Sequence, residues 1–281
     1  MTATQTAGRD WLRTARPAPA AAVRLACFPH AGGAATLFRP LAEDLARDDA
    51  AEVLAVQYPG RQDRRTEPVV TDLTVLADHA ADRLAAAADG RPLVLFGHSM
   101  GALVAFETAE RLQARGVPVG GLIVSGRRAP HLRRPDGDLV HTRTDEGLVA
   151  ELRALGGTHD ALLADEGFVR MILPAVRGDY QAVETYRRAL SPAVLSCPVL
   201  ALAGETDPRV TTEEARHWAA YTSGTFEQRT VPGGHFGLVQ DQAGLSALLR
   251  EQLLVLRGED ATNGTRPGAP TPRGARVRHG E

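Results

Sequence analysis

The sequence contains no lysine, so every one of its 32 Lys/Arg residues is an arginine. This absence excludes the Gly-x-x-x-x-Gly-Lys loop with which many proteins cradle phosphates. Only two cysteines are present, Cys27 and Cys197, and both lie in apolar segments of strand length. We expect them to be reduced core side chains rather than a disulfide, a nucleophile or a pair of metal ligands.

Long apolar runs and a strong charge imbalance are also absent. No apolar run approaches the ~18 residues of a membrane span, and the formal net charge is only −2. Residues 2–22 are polar, contain arginine and are interrupted by proline, unlike a secretory signal. We therefore expect a cytoplasmic protein that binds neither nucleic acid nor a membrane. No His, Asp, Glu or Cys cluster has ligand spacing, so we expect no metal and no other cofactor.

The two ends of the sequence differ in composition from the middle. Residues 1–20 are rich in Ala, Thr and Pro, and residues 258–281 lack any periodicity. Such segments bury too little apolar surface to fold, so we expect both to be disordered. The remaining residues, 21–257, are enough for one sizeable domain.

Within this domain, apolar segments of strand length alternate with longer segments of helical periodicity. The predicted strands are Val23–Phe28, Val53–Gln57, Leu93–Phe96, Gly121–Ser125, Val199–Ala203 and Thr225–Val231. The predicted helices are Phe38–Arg47, Leu73–Ala88, Ala102–Arg115, Thr212–Tyr221 and Leu245–Leu256. This alternation predicts an α/β fold whose mostly parallel central sheet carries helices on both faces.

One segment, about residues 127–190, interrupts the alternation. It has helical patterning, clearest at Leu148–Leu155 and Phe168–Arg188, and no convincing strand. We interpret it as a helical lid inserted at the edge of the sheet that carries the catalytic loops. The alternative is an additional structural layer.

The most informative motif is Gly97-His98-Ser99-Met100-Gly101, which follows the predicted strand Leu93–Phe96 and precedes a helix. Gly-x-Ser-x-Gly between a strand and a helix is typical of a nucleophile elbow, in which a tight turn exposes the serine hydroxyl. The glycines are needed because side chains at their positions would collide with the neighbouring backbone. The motif therefore predicts Ser99 as the nucleophile.

A serine needs a histidine base that a carboxylate orients, and in this fold type the chain order is Ser, then Asp or Glu, then His. Asp207 follows the strand Val199–Ala203, and His235 follows the last predicted strand. We predict the triad Ser99, Asp207 and His235, with Glu205 as the alternative acid.

Acyl transfer passes through a tetrahedral oxyanion, which two backbone N–H groups must stabilise. The residue after the nucleophile, Met100, should supply one of them. The second should come from the glycine-rich loop after the first predicted strand, where Ala31 is the predicted donor and His30 the alternative.

Further motifs accompany the elbow. They are Phe28-Pro29-His30-Ala31-Gly32-Gly33, Gln57-Tyr58-Pro59-Gly60-Arg61, Val124-Ser125-Gly126-Arg127, Ala129-Pro130, Leu155-Gly156-Gly157-Thr158, Leu173-Pro174, Asp179-Tyr180, Glu184-Thr185-Tyr186, Cys197-Pro198-Val199, Gly204-Glu205-Thr206-Asp207 and Pro232-Gly233-Gly234-His235-Phe236. Together they resemble the stand-alone, type II thioesterases that accompany modular polyketide and non-ribosomal peptide synthetases. The resemblance extends from about residue 23 to residue 254. Gly178 departs from the pattern, which has a small residue such as alanine there, and we expect this glycine to loosen its helix by ~1 kcal/mol.

The resemblance implies an α/β-hydrolase fold with a mobile helical lid and the same triad and oxyanion amides. It also implies an activity: hydrolysis of unwanted acyl groups from the phosphopantetheine arm of acyl or peptidyl carrier proteins. The acyl group should then lie between the elbow and the lid, beside the candidate pocket residues His30, Met171, Tyr180 and Phe236.

Carrier proteins usually present an acidic face. The candidate docking residues are Arg127, Arg128, Arg133 and Arg134, at the start of the predicted lid. The alternative is that these arginines form a solvated loop.

Three other functions remain open. A thioesterase that terminates synthesis or releases medium-chain acids would use the same triad, as would a general carboxylesterase. The sequence contains no carrier domain or synthase module, which favours an independent editing enzyme. A non-catalytic binding protein of the same fold would be expected to lack a triad member, whereas all three are present.

Overall fold

A seven-stranded sheet runs through the centre of the protein, of which the computed structural model describes residues 11–133, 139–190 and 195–263. Its strands are β1 (Leu12–Arg13), β2 (Arg24–Phe28), β3 (Glu52–Val56), β4 (Leu93–His98), β5 (Val119–Ser125), β6 (Val199–Gly204) and β7 (Phe226–Val231). They lie in the order β1-β3-β2-β4-β5-β6-β7. Only β1 pairs antiparallel, so the sheet is mostly parallel, as predicted.

Helices connect the strands. They are α1 (Arg39–Leu45), α2 (Leu73–Ala87), α3 (Met100–Ala114), α4 (Asp145–Leu155), α5 (Asp160–Leu163), α6 (Glu166–Thr185), α7 (Thr212–Arg216), α8 (Gly237–Gln240) and α9 (Gln242–Asn263). Short 3₁₀ helices cover Ala35–Phe38, Gln62–Arg64, Val140–Thr142 and His217–Tyr221. None of the helices in the described ranges combines the length and the apolar character that crossing a membrane requires.

Side chains of the central strands are buried on both faces of the sheet. On β4, Leu93 and Leu95 belong to one apolar cluster, whereas Val94 and Phe96 belong to the other. This alternation follows from the two-residue period of a strand. It explains why the central strands are continuous apolar runs in the sequence.

The order of the strands places a crevice at the centre of the sheet. From β2 the chain continues to β3 on one side, and from β4 it continues to β5 on the other side. The loops that follow β2 and β4 therefore diverge at the carboxyl ends of these strands. In open α/β sheets this switch point is where ligands bind. The predicted oxyanion loop follows β2 and the predicted nucleophile follows β4, so the topology brings them together.

The segment predicted as a lid is helical in its described part. It contains α4, α5 and α6 and has a small core of its own, formed by Val140, Leu148, Leu173 and Val176. The sheet, its two layers of helices and this helical insertion form an α/β-hydrolase fold. Residues 134–138, which include Arg134, lie outside the described residues.

The predicted boundaries of the domain need correction at both ends. Composition predicts disorder for residues 11–20, but β1 pairs with β3 and Trp11 is 5% exposed, beneath the guanidinium of Arg64. A two-residue strand has no periodicity to detect, which is why this prediction is wrong. At the other end α9 continues to Asn263, beyond the predicted limit at residue 257. Residues 1–10 and 264–281 of the predicted disordered ends lie outside the described residues.

Gly178 has a packing role that the sequence does not indicate. A Cβ atom at this position of α6 would lie 2.3 Å from Cγ1 of Val69, closer than any real contact allows. The missing side chain therefore lets α6 approach the segment before α2. Helix propensity alone predicts only that this glycine loosens its helix.

Gly178→Ala should lower the free energy of unfolding by about 1–2 kcal/mol, because overpacking outweighs the ~1 kcal/mol gained in helix propensity. Denaturant unfolding of this variant and the wild type measures the change. In a Val69→Ala background the same substitution should be neutral or stabilising, because the obstructing methyl group is gone. An equal loss in both backgrounds would contradict the packing role.

Candidate active site

Ser99 occupies the turn between β4 and α3 in a strained backbone conformation. Its φ of 54° and ψ of −114° lie in a region that residues with a side chain rarely adopt. The Ser99 N–H donates to the carbonyl of Ser125 at 2.8 Å, which ties the turn to the neighbouring strand β5. Such strain is typical of functional turns, and here it lifts the Ser99 hydroxyl above the sheet.

The two glycines of the motif make this turn possible. A Cβ atom on Gly97 would lie 2.1 Å from the carbonyl oxygen of Gly101. A Cβ atom on Gly101 would lie 2.0 Å from the carbonyl oxygen of Phe28, at the end of β2. Both positions therefore exclude any side chain, and the turn packs directly against the start of the loop after β2.

The structure brings Ser99, His235 and Asp207 into one chain of hydrogen bonds. His235 Nε2 lies 3.0 Å from Ser99 Oγ. His235 Nδ1 lies 2.9 Å and 3.1 Å from the two carboxylate oxygens of Asp207. Because a carboxylate only accepts, Nδ1 carries the proton and the Nε2 lone pair faces the serine.

The other two members of this hydrogen-bond chain, His235 and Asp207, have buried side chains. The side chains of His235 and Asp207 are 4% and 1% exposed, respectively. Asp207 also accepts from the backbone N–H of Arg209 at 2.7 Å, which holds the carboxylate in place. Glu205, the alternative acid, is solvent-exposed. The geometry thus favours Asp207 as the carboxylate that orients His235.

The predicted oxyanion donors lie on either side of this turn. Met100 is the first residue of α3, where backbone N–H groups have no partner within the helix and the helix dipole is positive. Ala31 lies in the loop after β2. Both residues line the same cavity as Ser99.

Two further histidines lie beside His235. The ring centroid of His98 is 5.1 Å from that of His235, and His30 packs edge-on against Phe236 at 4.7 Å. Burial lowers the pKa of His30 to about 4 and that of His98 well below its usual range. Both rings are therefore neutral at pH 7 and add no positive charge beside His235.

His98, the variable residue of the elbow, packs beside the turn. Its Nδ1 lies 3.1 Å from Ser125 Oγ. Its buried Nε2 has no hydrogen-bond partner among the described residues. The two central residues of the elbow are thus both tied to Ser125, His98 through its ring and Ser99 through its backbone.

A cavity of about 350 Å³ opens above Ser99. Its walls include three of the candidate pocket residues, His30, Tyr180 and Phe236, together with several aliphatic side chains from α3 and the insertion. Met171, the fourth candidate, does not line it and is 58% exposed. Met171 and Tyr180 are nine residues apart on α6, about two and a half turns, so they lie on opposite faces.

Arginines surround this cavity. Its lining includes Arg127, Arg128, Arg133, Arg187 and Arg209. Three of these are candidate docking residues. No sequence motif indicates the other two, which lie on loops distant along the chain.

The candidate docking residues differ in exposure. The Arg128 side chain is 11% exposed, donates to the carbonyl of Arg209 at 2.6 Å and pairs with Glu214. Arg128 therefore ties the start of the insertion to α7 and to the loop that precedes it. Arg133, in contrast, is exposed to solvent.

The two cysteines are buried thiols, as predicted. Burial raises the pKa of both, that of Cys197 to about 11, so neither is a thiolate nucleophile at neutral pH. Within the described part of the chain, no three His, Cys, Asp or Glu side chains are grouped to hold a metal ion.

His30 should make the stability of the fold depend on pH. Its pKa is about 4 in the folded protein, compared with the ordinary histidine value of 6.5 that the unfolded chain retains. Between these values the unfolded chain binds a proton that the folded chain does not, so stability falls as the pH is lowered. The loss contributed by His30 should reach about 3 kcal/mol near pH 4.

Comparison with His30→Gln isolates this contribution from those of the carboxylates. Denaturant unfolding of both proteins at intervals from pH 7.5 to 4 gives the difference in free energy. The wild type should lose more stability than the variant, and most of the extra loss should fall below pH 6.5. A difference that stays constant over this range would show that the pKa of His30 is the same in the folded and the unfolded chain, and would contradict the lowered value.

Comparison with known proteins places this chain in a family. The chain matches the thioesterase domain family over residues 23–252. It is 51% identical over 239 residues to a probable cadicidin biosynthesis thioesterase of Streptomyces griseus, covering 85% of this chain and 64% of that protein. It is 45% identical over 269 residues to thioesterase PikA5 of Streptomyces venezuelae, covering 95% of this chain and 94% of that protein.

Solved structures agree with the sequence comparisons. The type II thioesterase BorB from the borrelidin biosynthetic cluster superposes with a TM-score of 0.79 at 48% identity, covering 86% of this chain and 97% of that chain. The strained Ser99, its hydrogen-bonded histidine and the helical insertion thus occur in a chain that belongs to the thioesterase domain family.

Proposed function

We propose that this thioesterase hydrolyses acyl groups from the phosphopantetheine thiol of acyl or peptidyl carrier proteins, and so clears stalled polyketide or non-ribosomal peptide synthases. The observation that carries the proposal is the hydrogen-bond chain from Ser99 through His235 to Asp207. It is the arrangement that acyl transfer to a serine requires. The biosynthetic names of the relatives support the choice of carrier-bound substrates.

The first half of the reaction transfers the acyl group to the enzyme. Ser99 Oγ gives its proton to His235 Nε2 and attacks the thioester carbonyl carbon. The backbone N–H groups of Ala31 and Met100 stabilise the oxyanion that forms. When the intermediate collapses, the C–S bond breaks and the phosphopantetheine thiol leaves with the proton from His235.

The second half releases the acid. A water molecule gives a proton to His235 and attacks the Ser99 ester, and a second oxyanion forms in the same place. Its collapse breaks the ester bond and returns the proton to Ser99 Oγ. Asp207 accepts from His235 Nδ1 throughout and stabilises the imidazolium of each intermediate.

The cavity above Ser99 supports short acyl groups as substrates. At about 350 Å³ it is near the lower end of the 300–1,000 Å³ typical of ligand pockets. Leu103, Leu152 and Val183 supply apolar wall, which suits an unsubstituted acyl chain. A full-length polyketide would exceed this space, so removal of small, stalled groups is the function that fits.

The wild type should release free acid from acetyl- and propionyl-carrier proteins, and Ser99→Ala should reduce the rate by at least about 10⁴-fold. A matched oxyester should react more slowly, because a thioester is the more activated acyl donor. Quantifying free acid and free carrier thiol by mass spectrometry measures each rate. Longer acyl groups in the same assay test the limit set by the cavity.

Ser196→Ala is a suitable control, because it removes an exposed hydroxyl that bonds Gln113, does not line the cavity and leaves the Ser99 hydrogen-bond chain intact. It should retain most of the activity. Faster cleavage of the oxyester would replace the proposal with a general carboxylesterase. Absence of any turnover by the wild type would favour a binding protein.

Two arginines of the cavity lining, Arg133 and Arg187, are exposed to solvent, which supports a docking role for this surface. The phosphopantetheine arm must enter the cavity from an acidic carrier surface, which such arginines would attract. Arg134, the next candidate, lies outside the described residues.

Arg133→Glu should raise the Michaelis constant for an acyl-carrier substrate about fivefold at low salt, because one attraction becomes a repulsion. The constant for a small acyl-pantetheine thioester should not change. Arg47→Glu, a reversal at an arginine whose side chain is 75% exposed and which does not line the cavity, is the matched control. Equal effects of Arg133→Glu on both substrates would contradict a docking role.

A further inference from the structure

The carboxylate of Asp179 is fully buried, although its helix belongs to the insertion. Asp179 lies on α6, is 0% exposed and accepts from the two terminal nitrogens of Arg61 at 2.5 and 2.8 Å. It also accepts from the backbone N–H of Gly32 at 2.7 Å. This one side chain therefore joins the insertion to the loop after β2.

Arg61 reaches the same loop from the other side. Its Nη1 donates to the carbonyl of Gly33 at 3.2 Å, and its Nε donates to the carbonyl of Pro59 at 3.2 Å. The ring of Tyr58 lies 5.2 Å below the guanidinium. Two consecutive residues of the loop are thus bound: the Gly32 N–H by Asp179 and the Gly33 carbonyl by Arg61.

These hydrogen bonds fix the orientation of the peptide group that follows the predicted oxyanion donor, the Ala31 N–H. The peptide between Ala31 and Gly32 has its N–H bound by Asp179. Its carbonyl lies 2.9 Å from the ring nitrogen Nδ1 of His30, which donates to it. With both ends of this peptide held, the adjoining peptide that carries the Ala31 N–H has little freedom to rotate.

The loop and α6 are also in direct contact. Gly32 has a φ of +76°, and a Cβ atom there would lie 2.9 Å from Cγ2 of Val176 on α6. The same helix contributes Tyr180 and Val183 to the cavity wall. The position of α6 therefore determines both the shape of the cavity and the setting of the loop.

Stability alone is a weak reason for such a pair. Replacing a buried ion pair by apolar side chains of similar size is often neutral or stabilising, because the pair is costly to desolvate. The Arg61–Asp179 pair is instead placed where orientation matters, next to a backbone N–H that must face a developing charge.

We infer that Asp179 is a positioning residue for catalysis: together with Arg61 it orients the Ala31–Gly32 peptide from α6 and so completes the oxyanion site. Seating of α6 over the cavity and assembly of the oxyanion site are then a single event. The inference rests on the proposed function, since it requires an oxyanion that Ala31 stabilises.

The double variant Arg61→Met/Asp179→Leu tests this role with both charges removed. It should fold, because neither charge is left buried alone. Its kcat for a short acyl thioester should fall about 10²-fold, as expected for a donor misplaced by about 1 Å, while KM changes little. Inhibition by an acyl trifluoromethyl ketone, which forms an oxyanion on Ser99, should weaken by a similar factor.

A non-electrophilic thioether of the same chain length serves as the second probe, because it fills the cavity without forming an oxyanion. Its affinity should stay within about twofold of the wild-type value. Equal weakening of both probes would show that the pair merely supports the cavity, and would overturn the inference. Wild-type kcat and ketone inhibition in the folded double variant would also overturn it.

Arg24→Met/Glu52→Leu is the matched control. Glu52 likewise accepts from two arginines, Arg24 and Arg91, and from the backbone N–H of Ala18. It lies at the amino-terminal ends of the strands, at the other end of the sheet from Ser99. This control variant should change stability and leave kcat and both affinities unaltered.

Asp179→Asn decides the question if the double variant does not fold: its amide turns one of the two carboxylate acceptors into a donor, so the contacts to Arg61 and Gly32 cannot all be kept and the Ala31–Gly32 peptide is held less firmly. Its ratio of ketone to thioether affinity should be lower than that of the wild type, and an unchanged ratio would overturn the inference.

A wild type that neither hydrolyses thioesters nor binds the ketone would overturn the proposed function, and the inference with it. An active wild type whose variants are equally active would overturn the inference alone.

Discussion

The turn that carries Ser99 packs its backbone against the end of β2, and the remaining parts of the site depend on this contact. A Cβ atom on Gly101 would lie 2.0 Å from the Phe28 carbonyl, so the two backbones are as close as they can be. The loop after β2 is thereby held beside the serine hydroxyl. α6 packs on that loop through Val176, and residues of both the loop and α6 line the cavity. The turn that carries Ser99 is thus in contact with the oxyanion loop, and this loop is in contact with α6, which forms part of the cavity wall.

The parts of this arrangement that are local in the chain were accessible from the sequence. The tight turn at Ser99 requires glycines at fixed distances, so its motif can be read directly. Asp207 and His235 could be found because parallel strands bring the loops at their carboxyl ends to one edge of the sheet. The six predicted strands begin and end within two residues of β2–β7. Those in the centre of the sheet could be delimited because their apolar runs are buried on both faces.

Features that depend on distant contacts could not be predicted. Arg61 and Asp179 are 118 residues apart, and nothing near either residue indicates the other. β1 is too short to show a period, although the tryptophan beside it was a signal for burial. Met171 is a different case. Its helical spacing from Tyr180 places it on the opposite face of α6, so the sequence itself contained the reason to exclude it.

The short strand β1 also affects how this sheet meets other chains. Without it, the run Glu52–Val56 would present unpaired backbone groups on a buried, apolar strand, which is a template for aggregation. At the opposite edge β7 carries Glu227 and Arg229 among its side chains, and such charges discourage strand addition. Two residues next to Trp11 therefore cover the end of β3 and limit edge-to-edge association through it.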